Sequence, residues 1–242
     1  MRQFAFTCFA LLFIAANVAR AQTFITPDSS TAPFEDWTRN TPNSMYAEWN
    51  NFLQVNGGAN NPDVGSYGPT TATVVQTVPG AAILAGSPFT GGNIYGLNAP
   101  TSFDVTIPNY NLGAGSNTRV VAQIKVNGEV ILPSSVKLSY NDGVSTITPA
   151  IGYYNVETVG DGMAATQLRT FAWDIAGYNP SSLLLQFSAA DLHMSLDRVV
   201  VDTFTQVDAF AALPASVPEP ASLAMAAMAT LGFVGLRRRV KA

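Results

Sequence analysis

Between its two apolar ends, this chain is built of short runs in which apolar and polar residues alternate, and no long run has a helical period. The clearest run is Arg119–Val126, whose even-numbered residues are all apolar. A period of two places one face of a strand in a core and the other face outward. Asn127-Gly128 follows, and this pair is a strong hairpin signal because a type I′ turn needs positive φ at both positions. The middle of the chain is therefore predicted to form β-strands.

About ten strand-like runs follow one another at regular spacing, with turn residues between them. A second hairpin is predicted at Asn141–Gly143, an Asn-Asp-Gly turn between Val136–Tyr140 and Val144–Thr148. Such spacing is typical of an antiparallel sandwich or barrel. We expect an all-β, antiparallel, jelly-roll-like β-sandwich with its core in residues 70–208. Residues 22–69 are expected to be an irregular N-terminal part of the same domain, because they are rich in Gly, Asn and Pro.

The N-terminal end has the three parts of a secretory signal peptide. Arg2 provides the positive charge, Phe4–Ala16 is the apolar run, and a small-x-small cleavage site ends at Ala21. We therefore expect signal peptidase to remove residues 1–21 and to leave Gln22 as the first residue of the exported chain. An uncleaved membrane anchor is the alternative.

Trimming both ends changes the composition of the exported domain. The single cysteine, Cys8, lies in the signal peptide, so disulfides, cysteine catalysis and cysteine zinc sites are not expected in the mature chain. Residues 22–217 keep six Lys and Arg and fifteen Asp and Glu, which gives a net charge near −9. An acidic domain with no basic patch is a poor nucleic-acid binder.

The C-terminal end has three parts in a fixed order. The triplet Pro218-Glu219-Pro220 cannot join a helix, because each proline lacks an N–H and disfavours helical geometry in the residue before it. The uncharged run Ala221–Leu236 would span about 24 Å as a helix, slightly less than a hydrocarbon core of about 30 Å. A basic cluster follows: Arg237, Arg238, Arg239 and Lys241.

The basic cluster also predicts orientation. Lys and Arg beside a membrane span stay on the cytoplasmic side, so we expect the basic tail, 237–242, inside and the rest of the chain outside. The many small residues of the span 221–236 make it weakly hydrophobic, which suits a transient anchor. Residues 209–217 are expected to be a spacer before the sorting region 218–242. An ordinary single-span anchor with an incidental triplet is the alternative.

These C-terminal features closely resemble a PEP-CTERM sorting signal, the tag of Gram-negative exported proteins. The resemblance implies that an exosortase, a membrane-embedded cysteine transpeptidase, cuts near the triplet and releases or transfers the chain from the inner membrane to the cell surface or the extracellular space. The body also resembles exported PEP-CTERM proteins with a single β-sandwich, in four short stretches that imply no activity: Tyr46–Trp49, Gly91–Pro100, Leu138–Gly143 and Ser195–Asp202.

The candidates for catalysis are few. His193 is the only histidine, and it lies near Asp191 on a strand-like segment. A Ser-His-Asp triad needs a histidine as base, but a lone histidine is more often a packing or surface residue. One histidine cannot supply a zinc site. Fifteen carboxylates make some close pair inevitable, so a pair alone does not indicate glycoside hydrolysis.

Two kinds of binding site remain open, and no cofactor is expected. A structural calcium ion needs only oxygen ligands, and its candidates are Asp142, Asp161, Asp197 and Asp202, although Asp before Gly is also ordinary turn chemistry. Adjacent residues of a strand face opposite sides, so either Tyr153 or Tyr154 could be exposed and could contact a glycan.

The sequence thus predicts an exported, non-enzymatic protein of the cell surface or extracellular matrix, with signal peptidase and exosortase as processing enzymes. The alternative is a carbohydrate-binding module that acts on exopolysaccharide, and a glycan-active hydrolase is a third hypothesis.

Overall fold

The computed structural model describes residues 37–85, 92–159 and 165–214. The predicted signal peptide, membrane helix and basic tail therefore lie outside the described residues. Within these ranges the chain forms fourteen strands and one 3₁₀ turn, Pro133–Ser135. None of the helical structure found there is long and apolar enough to cross a membrane.

The strands are numbered in chain order. They are β1 Ser44–Trp49, β2 Ala59–Asn60, β3 Val64–Tyr67, β4 Thr73–Gln76, β5 Ala81–Leu84, β6 Asn93–Gly96, β7 Ser102–Pro108, β8 Asn117–Gly128, β9 Lys137–Asn141, β10 Thr146–Ile147, β11 Tyr153–Val159, β12 Thr166–Ile175, β13 Ser182–Ser188 and β14 Met194–Gln206.

The strands form two sheets in which the neighbours are antiparallel. The first sheet runs in the order β11-β12-β8-β14-β1-β3, and β14 also pairs with β6, which pairs with β5. The second sheet runs in the order β10-β9-β13-β7-β4-β2. Strand β14 lies at the centre of the first sheet, where it pairs with β8 along its whole length and with β1 along its second half. The predicted all-β antiparallel sandwich is confirmed.

The core lies between the two sheets and follows the predicted alternation. The apolar face of β8 is buried in it, as expected from the even-numbered residues of Arg119–Val126. From the second sheet, β7 and β13 contribute apolar residues at alternate positions, and the Phe103 and Phe187 rings stack 4.9 Å apart. Burying such large side chains supplies most of the stabilisation in a domain that has no cross-link.

The hairpin predicted at Asn127-Gly128 is wrong. Strand β8 continues through both residues and pairs with β12 on one side and β14 on the other, with Gly128 at φ 76°. The chain then crosses to the second sheet, where Ile131 forms a bridge with Ala189. Asn-Gly therefore ends a long strand at a change of sheet. The hairpin at Asn141–Gly143 is confirmed, since β9 and β10 pair around it.

The boundary predicted at residue 70 also needs correction. Strands β1 and β3, which both precede residue 70, belong to the first sheet, and β2 belongs to the second. All six residues of β1 are buried. The outward face of β1 carries Ser44, Tyr46 and Glu48, which alternate with apolar core residues, yet this polar face is buried as well. The predicted spacer begins on the domain rather than beyond it, because Phe210 and Leu213 pack against the outer face of the first sheet.

We expect Phe187→Ala to lower the free energy of unfolding by about 3–5 kcal/mol, because it removes one ring of the Phe103–Phe187 stack and leaves a cavity between the sheets. Denaturant unfolding of residues 22–217 measures the loss. Leu112→Ala is the control, since Leu112 is 43% exposed, and its expected effect is within about 0.5 kcal/mol. Equal losses in the two variants would contradict the assigned core.

Candidate functional site

The outer face of the first sheet is an ion-paired layer. Four of the six basic residues expected in the mature chain lie on it, and each one pairs with an acidic residue. The pairs are Arg39–Asp202, Arg119–Asp174, Lys125–Asp197 and Arg198–Glu48. The charged side chains of this face are thus paired with one another, and no broad surface of one charge results among the described residues.

The Arg39–Asp202 pair is the most deeply buried of the four. The guanidinium donates from Nε to Oδ1 and from Nη2 to Oδ2, both at 2.7 Å, and the two side chains are 4% and 1% exposed. Arg39 precedes β1, whereas Asp202 lies on β14. The bidentate geometry therefore holds the N-terminal segment against the central strand. The guanidinium also lies 4.2 Å above the ring of Tyr46.

Glu48 is fully buried beside this pair. It accepts a hydrogen bond from the Tyr46 hydroxyl, and its Oε1 lies 3.6 Å from Nη1 of Arg198. Burial raises the pKa of Glu48 above its ordinary value, because the hydrogen bond from Tyr46 and the charge of Arg198 oppose the effect only in part. Burial, together with the Glu48 carboxylate, raises the pKa of Tyr46, so its hydroxyl remains a donor.

A pocket of about 220 Å³ lies beside these groups, between β1 and the chain that follows β3. Its lining includes Ser66, Thr70 and Thr71 as well as Tyr46 and Tyr67, whose ring centroids lie 5.8 Å apart. The Tyr46 ring already contacts Arg39 and Tyr67. The main role of the Tyr46 ring is therefore packing within the ion-paired layer, and not binding in the pocket.

A second apolar cluster lies on the same outer face and joins the two ends of the described chain. Trp37 stacks on Phe204 at 5.5 Å, and Phe210 contacts both rings edge-on at 6.4 and 6.3 Å. Leu213 packs against the same cluster. We call residues 207–213 the C-terminal strap, because the chain leaves β14 there and runs back across the sheet.

Polar contacts hold the strap as well. The Arg119 guanidinium forms two 2.7 Å bonds to Asp174, donates to the Ala211 carbonyl at 2.6 Å and lies 4.7 Å from the ring centre of Phe210. Asn117 Nδ2 donates to the carbonyls of residues 207 and 208 at 2.8 and 3.1 Å. Sequence reasoning missed this strap. The apolar residues Phe210 and Leu213 in a segment interpreted as a spacer were the signal that could have found it.

The predicted processing residues lie outside the described residues. These are the cleavage-site pair Ala21 and Gln22, the triplet Pro218, Glu219 and Pro220, and the basic cluster Arg237, Arg238, Arg239 and Lys241. The last described residues of the chain lie against the domain. Leu213, five residues before Pro218, packs closely against Gly152. A Cβ atom placed on Gly152 would lie only 2.8 Å from Cδ1 of Leu213. The strap therefore ends beside β11, at the edge of the first sheet.

The two tyrosines predicted as glycan contacts are packing residues. Tyr153 is 3% exposed and lies in the cluster with Trp37. Tyr154 faces the other side of β11, stacks on Phe171 at 5.1 Å and accepts a hydrogen bond from Arg169 at 2.6 Å. The alternation of the pair is as predicted: Tyr153 is buried on one side of the strand, and Tyr154 is half-buried on the other.

Three of the four calcium candidates have other partners, and Asp161 lies outside the described residues. Asp142 accepts the N–H groups of Val144 and Ser145 in its turn, and these bonds lower its pKa. Asp197 and Asp202 form the ion pairs given above. In the described ranges, no three His, Cys, Asp or Glu side chains come together in a group that could hold a metal ion.

His193 lies in the tight turn before β14, with a φ of 72°. Its Nδ1 is 2.7 Å from the Tyr95 hydroxyl, and the two rings stack at 5.7 Å. Its backbone N–H donates to the Gly96 carbonyl. The histidine thus fastens β6 to the start of β14.

Comparison with known proteins identifies the tail. A family model for the PEP-CTERM protein-sorting motif matches residues 216–239. The chain carries a PEP-CTERM sorting motif. The match includes the triplet, the apolar run and the three arginines, as the sequence predicted. The motif marks the chain as an exported protein that an exosortase sorts to the cell envelope and surface.

The other comparisons add no function. No curated protein matches the chain. Among solved structures, the enzymatically active domain of bacteriophage CBA120 tailspike protein 4 is similar at 9% identity and a TM-score of 0.25. The similarity covers 75% of this chain and 22% of the tailspike chain, so this chain spans less than a quarter of that protein. A likeness at this score carries no argument about fold or function.

We expect Asp202→Asn to destabilise the domain by about 3–5 kcal/mol, because it leaves the buried Arg39 guanidinium without a counter-charge. Asp197→Asn is the matched control, since its partner Lys125 is 34% exposed and water can hydrate the ammonium group when the counter-charge is removed. The control should lose about 1 kcal/mol or less. Denaturant unfolding of both variants at neutral pH measures the two losses in free energy of unfolding. Equal losses would contradict the prediction.

A second prediction concerns pH. Because the pKa of Glu48 is higher in the folded state than its ordinary value of 4.5, the folded state holds this proton more tightly. Its contribution to stability is therefore lost as the pH rises from about 4.5 through the folded pKa. Glu48→Gln removes that loss, so its stability relative to the wild type should improve from pH 4 to pH 7. Unfolding at both pH values measures the difference, and an unchanged difference would refute the prediction.

Proposed function

We propose that this protein is a non-enzymatic component of the cell surface or extracellular matrix, delivered by its C-terminal sorting motif. The observation that carries the proposal is the motif match at residues 216–239 on a chain that begins with a signal-peptide pattern. The sandwich between them supports a structural role. Its outer face uses Arg39, Arg119, Lys125 and Arg198 to join strands and chain ends.

The proposed route has two processing steps. Signal peptidase removes residues 1–21 during export, and the run 221–236 then holds the chain in the inner membrane with the basic tail in the cytoplasm. The span is about 24 Å as a helix, so it needs local thinning of the bilayer or extension of the flanking arginines toward the headgroups. A short, weakly apolar anchor of this kind suits a temporary stage before an exosortase cuts near the triplet.

Mutation of the triplet tests the second processing step separately from export. We expect a variant with Pro218→Ala, Glu219→Ala and Pro220→Ala to accumulate uncut in the inner membrane, because the replaced segment can continue the helix and is no longer held extended. Mass spectrometry of the membrane and surface fractions measures the C-terminus of each product. The wild-type protein at the surface should lack residues 221–242.

Pro214→Ala is the matched control, since it removes a proline that lies before the matched motif. Its processing should equal that of the wild type. An intact C-terminal segment on wild-type protein at the cell surface would overturn the proposed route.

A further inference from the structure

The C-terminal strap is part of the folded domain, although it lies directly before the sorting motif. Two kinds of contact hold it: the ring contacts of Phe210, and hydrogen bonds from Arg119 to Ala211 and from Asn117 to the carbonyls of residues 207 and 208. The Leu213 side chain occupies the space above Gly152. The chain is therefore fastened to the sandwich up to Leu213.

This fastening limits how far the motif can reach from the domain. An extended chain covers at most about 3.3–3.6 Å per residue, so the five steps from Leu213 to Pro218 reach about 17 Å. A compact domain of this size has a radius of gyration of about 16 Å. With the strap docked, the triplet thus stays within roughly one radius of the sandwich.

Release of the strap changes this reach. If the segment detaches as far as Gln206, twelve steps separate the domain from Pro218, which is about 40 Å when extended. The cutting enzyme is embedded in the bilayer, and the span 221–236 holds the substrate there. A docked strap would therefore press a bulky domain toward the enzyme, whereas a released strap would let the domain stand clear.

We propose that the C-terminal strap controls the rate of tail processing by keeping the sandwich close to the cleavage point. The strap-bearing outer face of the first sheet, at its β11 edge, is then the surface that meets the membrane-embedded enzyme. This inference rests on the proposed function, since it needs the tail to be cut near the triplet. It adds a role for Arg119, Phe210 and Leu213, residues outside the motif.

The test compares two ways of lengthening the tether in cells that carry the processing enzyme. One variant is Phe210→Ala with Leu213→Ala, which weakens the docked strap. The other inserts ten Gly and Ser residues after Pro214, which leaves the strap intact and adds about 17 Å of flexible reach. The same insertion after Gly143 is the matched control, because the next residue, Val144, is 94% exposed in a turn far along the chain from the strap.

Pulse-chase labelling measures the fraction of full-length chain that is cut over time. Both lengthened variants should be processed severalfold faster than the wild type, and the turn insertion should be processed at the wild-type rate. The insertion after Pro214 keeps the test valid if the double alanine variant folds poorly. Wild-type rates in both lengthened variants would overturn the proposal.

Failure of the proposed function gives a different result. In that case the wild-type tail is not cut, and the alanine variant of the triplet behaves like the wild type. Limited proteolysis of the detergent-solubilised full chain then tests the strap directly. A broad-specificity protease should cut residues 214–217 severalfold faster than residues 207–213 in the wild type, and equal rates would overturn the docked strap.

Discussion

The bidentate pair between Arg39 and Asp202 is the interaction on which the outer face of the first sheet depends. Asp202 lies at the centre of this sheet on β14 and is almost fully buried, so its charge needs a partner within the fold. Arg39 provides that partner from the segment that precedes β1. The N-terminal segment must therefore lie over the sheet, where it also brings Trp37 onto Phe204. One ion pair thus places the platform on which the C-terminal strap packs.

The sequence predicted the parts of the fold that depend on local pattern. Alternation in Arg119–Val126 located the core face of β8, and the turn at Asn141–Gly143 formed as expected. Prediction from the sequence failed where contacts between distant segments determine the local structure. Glu48 on the outward face of β1 is buried only because Arg198 of β14 lies beside it, and no local pattern shows this contact. Asn127-Gly128 is a turn signal in the sequence, but pairing with β12 and β14 continues strand β8 through these residues.

The candidate site divides in the same way. A sorting motif is read from a linear segment, so Pro218-Glu219-Pro220 could be recognised from sequence alone and the family match confirmed it. Contacts between distant segments could not be recognised from the sequence alone. Tyr153 and Tyr154 were correctly placed on opposite sides of one strand, yet nothing local shows that Trp37 and Phe171 cover those sides. The strap was missed because Phe210 and Leu213 gain their partners only after the sheet has formed.

The central position of β14 has a mechanical consequence. The tail is continuous with this strand of 13 residues, which is hydrogen-bonded to β8 on one side and to β1 and β6 on the other. A force that pulls the domain away from its attachment point would first load the strap. It would then have to shear many ladder hydrogen bonds at once, because β14 has no free edge from which to peel. A domain joined to a surface through β14 would be held by a strand that is paired on both sides.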